Sequence, residues 1–228
     1  MSRKNTPIPN SAKTWPKFVK LRIEIFCKAL DALIITDDII NKEDEISKVL
    51  NPKLLTVCRK LKLKVGIPVW DSKNRPSNDN DIKSPSANTR PDFTCNHYDT
   101  NAKCNELYEI NLHIECKRIG NNNPKWNLNM NYITDGIDRF DSLEHRYGKY
   151  AYDGIMVGYI IDSTKDEIQT AINEKLPENI EKLNFRTKNK VENISTKFKR
   201  KNVKPLDFKL HHIWADYVGN AKVSDTGD

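Results

Sequence analysis

The chain has 228 residues, and its 38 Lys and Arg against 31 Asp and Glu give a net charge of +7. That balance favours anionic partners, nucleic acid first. No apolar run reaches the roughly 18 residues that a membrane-spanning helix needs, and Met1–Asn10 lacks the apolar stretch of a secretory signal. Five cysteines at irregular spacing argue against a disulfide framework and for a reducing, cytoplasmic setting.

Residues 1–12 are polar and proline-punctuated and read as a loose N-terminal arm, ahead of a single domain over 13–219 and a tail at 220–228. From Trp15 to about Ile35, Val19, Ile23, Phe26, Leu30 and Leu33 recur at helical spacing, with Lys17, Lys20, Glu24 and Lys28 on the wetter side. A second helical region spans about Asp44 to Leu61, with an interruption expected at Asn51-Pro52. Residues 71–90 are almost wholly polar and read as a long surface loop, functional or merely solvated.

The stretch from Arg90 to Arg118 organises the rest. Ile110, Leu112, Ile114 and Cys116 alternate with Glu109, Asn111, His113, Glu115 and Lys117, the period of a half-buried strand. Pro91–Asp99 can run as its partner, with Thr100–Asn105 as the turn. A hairpin folded about Lys103 and Cys104 sets Asp92 opposite Glu115, with Lys117 two residues further along the same face.

Gly120–Pro124 ends that strand, and a helix is expected from about Asn131 to Tyr150. Ile155–Ile161 is apolar nearly throughout, as a strand buried on both faces would be. Ser163 and Asp166 resemble a capping box for a helix that stops before Pro177. Lys182–Lys204 holds nine Lys or Arg against one acid, Glu192. That excess of eight exceeds the whole chain's charge, so the positive field is concentrated there, with Phe185 and Phe198 interleaved. Lys197, Lys199, Arg200 and Lys201 are the nucleic-acid contacts it suggests. Phe208–Val218 closes the chain as a strand. The sum is an α/β domain with a mixed central sheet flanked by helices.

Pro91-Asp92 and Glu115-Cys116-Lys117, separated by a 22-residue gap between the acids, resemble the signature of the PD-(D/E)XK nuclease superfamily. The resemblance runs from about Arg90 to Ile161, the expected catalytic core. It implies a restriction-endonuclease-like core and a Mg²⁺-dependent DNA endonuclease of restriction or phage defence, with Mn²⁺ able to substitute. Its products would carry 5′-phosphate and 3′-hydroxyl ends. The chemistry fits these residue types. A phosphodiester is anionic, and a divalent cation both neutralises charge and lowers the pKa of water. Mg²⁺ takes oxygen ligands and keeps several waters, so Asp92, Glu115 and the Cys116 carbonyl are a sufficient protein share. Lys117 would stand beside the attacking water as base or electrostatic stabiliser. The resemblance adds Glu24 as a further metal-ligand candidate from an N-terminal helix, and Arg139 as a positive residue on the following helix. Arg118 adjoins the site and suits bidentate phosphate contact.

Cys95, His97, Cys104 and His113 raise a zinc reading, which the hairpin register opposes by putting His113 on the other face from Cys95 and His97. His211 and His212 are adjacent and point to opposite faces. A non-catalytic nucleic-acid-binding protein and a structure-selective repair or junction-resolving nuclease are the alternatives. A homodimer or an activating partner subunit fits duplex cleavage.

Overall fold

The computed structural model describes residues 10–36, 39–76, 78–121, 127–187 and 189–218. Within them a six-stranded sheet has the order β1-β2-β3-β4-β6-β5. Its strands are β1 (Val69–Trp70), β2 (Phe93–Tyr98), β3 (Glu109–Ile119), β4 (Asp153–Ile160), β5 (Val191–Lys199) and β6 (Asp207–Asp216). β2 and β3 are antiparallel, β3, β4 and β6 run parallel, and β5 returns antiparallel on the edge. The class is therefore α/β with a mixed sheet, as the pattern of elements required. Among the described residues no helix is long and apolar enough to cross a membrane.

One face of the sheet packs on α1 (Asn10–Asp31) and α2 (Glu43–Lys60) through Phe26, Leu30, Leu50, Leu54, Ile114 and Val157. The other face meets α5 (Leu128–Thr134), a 3₁₀ turn at Ile137–Phe140, and α6 (Lys165–Lys175), through Tyr132, Ile137, Met156, Ile168 and Trp214. Both faces of β4 are covered, which is why its sequence has no polar alternation. Two short helices, α3 (Asp79–Ile82) in the 71–90 loop and α4 (Asn105–Tyr108) in the hairpin connection, and a 3₁₀ turn at Pro85–Asn88 complete the elements among the described residues.

Several boundaries differ from expectation. α1 starts at Asn10, inside the expected arm, while residues 1–9 and 219–228 lie outside the described residues. α2 runs through Pro52 without interruption. A proline removes one helical hydrogen bond, but Leu50 and Leu54 on either side of it are fully buried, and tertiary packing outweighs that loss. The capping box is Thr164 with Glu167, one residue later than expected, because Ser163 takes a positive φ of 62°.

The expected helix over 131–150 is two short pieces and a turn-rich segment. α5 ends at Thr134 because the chain must drop onto the sheet at Gly136. A Cβ there would lie 2.5 Å from the Met156 methyl and 3.3 Å from the Lys117 stem. Further on, Arg146, Gly148 and Tyr150 take φ of 55°, 66° and 67°, which no helix accommodates.

Candidate active site

β2 and β3 pair with Phe93 opposite Ile114 and Cys95 opposite Leu112, so the register places Asp92 against Glu115 as the alternation demanded. β3 is 11 residues long and β2 only six. Beyond Ile114, β3 therefore has backbone groups facing its first neighbour with no strand to receive them. Side-chain carboxylates take that place. Asp92 Oδ2 accepts from the Cys116 N–H at 2.6 Å, and Glu43 Oε2 accepts from the Arg118 N–H at 2.9 Å. A strand residue's N–H and C=O leave on the same side, so the Cys116 carbonyl also faces the Asp92 side.

Glu115 is fully buried and Lys117 is 7% exposed. Lys117 Nζ lies 2.8 Å from Glu115 Oε1 and 2.8 Å from Glu43 Oε1. Arg139, carried over the sheet by the break at Gly136, donates to the same Glu115 oxygen at 2.5 Å. The other oxygen, Glu115 Oε2, is buried and has no hydrogen-bond partner among the described residues. Burial pushes the Glu115 carboxyl up to about 8, and the neighbouring Asp92 charge adds to the effect. Asp92 rises to about 6, again mainly through burial, although Lys117 and the Cys116 N–H oppose the shift. Lys117 is raised: burial works against its charge, but Glu115, Glu43 and Asp92 together prevail.

This arrangement suits a hard divalent cation. Two carboxylates that repel each other in a desolvated site would both return toward ionisation beside a cation, and Glu115 Oε2 has no hydrogen-bond partner among the described residues. Among the described residues no group of three or more His, Cys, Asp and Glu side chains is arranged as a metal site. An ion here would take its remaining ligands from backbone oxygen and solvent, the habit of Mg²⁺ rather than zinc. Asp92, Glu115 and the Cys116 carbonyl are the residues that fit it.

The zinc alternative fails on the hydrogen bonds as well. The Gly148 N–H donates to His113 Nδ1 at 3.0 Å, and burial pulls the His113 pKa down to about 3. The neutral ring then carries its proton on Nε2, so neither nitrogen offers a lone pair to a metal. His97 rests on Thr14, Trp15 and Phe18, and Cys104 is exposed.

Other expected site residues are placed differently. Glu24 pairs with Lys28 on the exposed side of α1; the N-terminal-helix acid that reaches the cluster is Glu43, in the first turn of α2. A run of three acids, Glu43-Asp44-Glu45, was the available signal for it. Arg139 is at the site, as an ion-pair partner of Glu115. Strand alternation puts the Arg118 side chain on the face opposite Lys117, so Arg118 gives the cluster its backbone N–H.

Arg200 is a correction. It is 3% exposed, its guanidinium donates to the carbonyls of Pro205, Phe140, Tyr147 and Gly148, and it lies 3.9 Å over the Phe208 ring. Burial lowers its pKa to about 10. It joins the 140–148 segment to the β5–β6 turn and offers no surface for phosphate. Phe185 and Phe198 are buried too. Lys190 is spent on the carbonyls of Asp31 and Leu33. Lys197, Lys199 and Lys201 are exposed, Lys199 beside Asp207 at 3.2 Å. His211 bonds Ser195 and Asp153, and His212 bonds Tyr132 and Thr196 in the core.

No family model, curated protein or solved structure matches the chain. The site itself has to carry the functional reading.

Proposed function

We propose that the chain is a Mg²⁺-dependent endonuclease of the PD-(D/E)XK kind, hydrolysing phosphodiester bonds in DNA. One observation carries this reading: two carboxylates and a lysine share a desolvated corner, with the Glu115 Oε2 left without a partner among the described residues. Burying like charges together is costly, and a purely structural role would favour apolar residues there. The strand order, with an antiparallel β2–β3 pair beside parallel β4 and β6, supports a restriction-endonuclease-like core.

Asp92, Glu115 and the Cys116 carbonyl would hold the ion, which supplies charge neutralisation at the phosphate and a lowered pKa for water. Asp92 is fixed for this by its bond to the Cys116 N–H, and Glu115 by Lys117 and Arg139. Lys117, held between Glu43 and Glu115, presents its ammonium to the phosphate and stabilises the charge that builds there. A water oxygen bonds to phosphorus as its proton passes to solvent, the P–O3′ bond breaks, and the leaving 3′ oxygen takes up a proton from solvent. The exposed Lys197, Lys199 and Lys201 add salt-dependent, sequence-independent affinity.

The test is plasmid incubated with Mg²⁺ and wild type, Asp92→Asn or Lys117→Ala. Wild type should nick or linearise it, and each variant should be slowed at least about 100-fold. Equal cutting by all three, or none by wild type, would overturn the proposal.

A further inference from the structure

Two residues before Glu115 on the same face of β3 stands His113, and two before that Asn111. Both line a pair of adjoining narrow clefts. The first lies between the 71–90 loop and the 145–150 turn, the second between that loop and the β2–β3 pair. Asn74 bonds the His145 carbonyl at 3.1 Å, and Asp81 pairs with Arg146 and Lys149, so the walls of the first are tied to each other. The room they leave is small, about 40 Å³ in the first cleft and about 20 Å³ in the second. At roughly 10–15 Å³ for each water-sized group, the first holds three or four such groups, too little for a nucleobase.

The lining is cationic. Arg75, Arg146 and Lys149 line the first cleft and Lys73 the second, against two acids, Asp81 and Glu109. Arg146 and Lys149 rest on the same oxygen, Asp81 Oδ1, Arg146 at 3.5 Å, and Arg75 stands 3.4 Å from Glu109. Two positive charges are left over. Among these groups His113 is only 5% exposed. Its Nδ1 receives the Gly148 N–H, so the neutral ring carries its proton on Nε2, the atom it can offer to the clefts. That Nε2 is a buried donor without a partner among the described residues, and Arg146 Nε is another. Asn111 Oδ1 is unpartnered as well, and a half-turn about the last side-chain bond presents the amide N–H instead. Donors left buried and unpaired are costly, and an acceptor of matching size would relieve them.

A charged acceptor a few oxygens across is a tetrahedral oxyanion, and a guanidinium beside an N–H donor suits its oxygens. Alternate residues on a strand are about 7 Å apart, so His113 stands about one backbone step of a nucleic-acid strand from Glu115. Building on the nuclease reading, we propose that this cleft binds the backbone phosphate next to the scissile one, held by His113, Arg146 and Lys149 with Arg75 at the mouth. Phosphate contacts fix register without reading sequence. The cleft therefore positions the strand over the carboxylates whatever its bases.

The first arm titrates the metal-free full chain in EDTA with inorganic phosphate, chloride keeping ionic strength constant, and follows the His113 ring by NMR. Wild type should bind saturably, and Arg146→Ala should bind about tenfold more weakly. Asp81→Asn releases Arg146 and Lys149 and should bind about threefold more tightly or better, a gain that misfolding cannot imitate. If either variant fails to fold, the other decides. The second arm moves a single uncharged methylphosphonate linkage along a short DNA strand and follows binding in EDTA by fluorescence anisotropy. Wild type should lose about tenfold at a linkage that Arg146→Ala no longer senses. No saturable phosphate binding, or none tighter in Asp81→Asn, overturns the cleft and leaves the nuclease reading to its plasmid assay. Phosphate binding with a scan identical in wild type and Arg146→Ala assigns the cleft to free phosphate and overturns the backbone contact. A linkage sensed only by wild type, with no cleavage on adding Mg²⁺, upholds the cleft and overturns the nuclease reading.

Discussion

Glu43 was invisible to the motif and is central to the geometry, so its replacement is an informative perturbation. Its two oxygens do different things: Oε1 holds the Lys117 ammonium at 2.8 Å, and Oε2 receives the Arg118 N–H at 2.9 Å. Hydrogen bonds to charged groups contribute about 1.5–3 kcal/mol each. The Glu43 side chain is 27% exposed, so water will partly replace both contacts and the lower end applies. An acid in a helix's first turn adds about 0.3–1 kcal/mol. Glu43→Ala should therefore cost about 3 kcal/mol in urea unfolding, a large share of the roughly 5–15 kcal/mol typical of a domain. Glu43→Gln keeps an acceptor for the Arg118 N–H and should cost about half as much. Because Lys117 then leans on Glu115 alone, both variants should also slow cleavage by about tenfold or more. Glu24→Ala, on the exposed side of α1, should leave stability and cleavage unchanged. A Glu43→Ala protein within about 0.5 kcal/mol of wild type would refute the idea that this carboxylate joins α2 to β3.

The pH response has a definite sign. Asp92 and Glu115 bind their protons more tightly folded than unfolded, with folded values near 6 and 8. The metal-free protein should therefore lose stability as pH rises from about 4 through 8, and Glu115→Gln should remove most of that loss. Since a cation competes with those protons, the rise in melting temperature on adding Mg²⁺ should grow across the same window; a pH-independent rise would count against the site. On the basic edge, Arg200→Ala should destabilise by about 3 kcal/mol or more, because four carbonyls and a ring lose their partner. Lys197→Ala and Lys201→Ala should be stable and reduce the salt slope of nucleic-acid binding by about one each; a stable Arg200→Ala with the same slope change would reverse the assignment.

The hairpin register was legible because period-two alternation over Glu109–Lys117 fixes the faces, a slip by one residue burying Glu109 and Asn111 and exposing Ile110 and Leu112, while the turn about Lys103 and Cys104 sets which residues pair. Other features depended on long-range contacts. The break at Gly136 follows from the approach to Met156 and Lys117, which no local pattern encodes, since Ile133, Ile137 and Phe140 keep helical spacing across it. Arg200 and Lys201 are neighbours of like charge. One is turned inward only because the carbonyls of Phe140, Tyr147 and Gly148 converge there from 52–60 residues away. The Glu43-Asp44-Glu45 run identified an acidic first turn, but which acid meets Lys117 is set by the phase of α2 against β3.

The site lies at the start of β2, past which β3 continues, so Asp92 has two duties at once, capping β3 and offering oxygen to a ligand. That coupling determines how the chemistry can be probed without disturbing the fold. Asp92→Ala would leave the Cys116 N–H without its acceptor at 2.6 Å, and an unpaired buried N–H costs about 1–3 kcal/mol. Lost cleavage in that variant would report on folding as much as on catalysis. Asp92→Asn keeps an oxygen of the same reach for the Cys116 N–H and removes the charge that a cation needs. It also relieves Glu115, whose pKa the Asp92 charge helps to raise. The metal-free Asn variant should therefore be at least as stable as wild type at about pH 8, while being inactive and insensitive to Mg²⁺ in its melting. An Asp92→Asn protein that is inactive but still gains stability from Mg²⁺ would show that the ion sits elsewhere, and that Asp92 serves β3 alone.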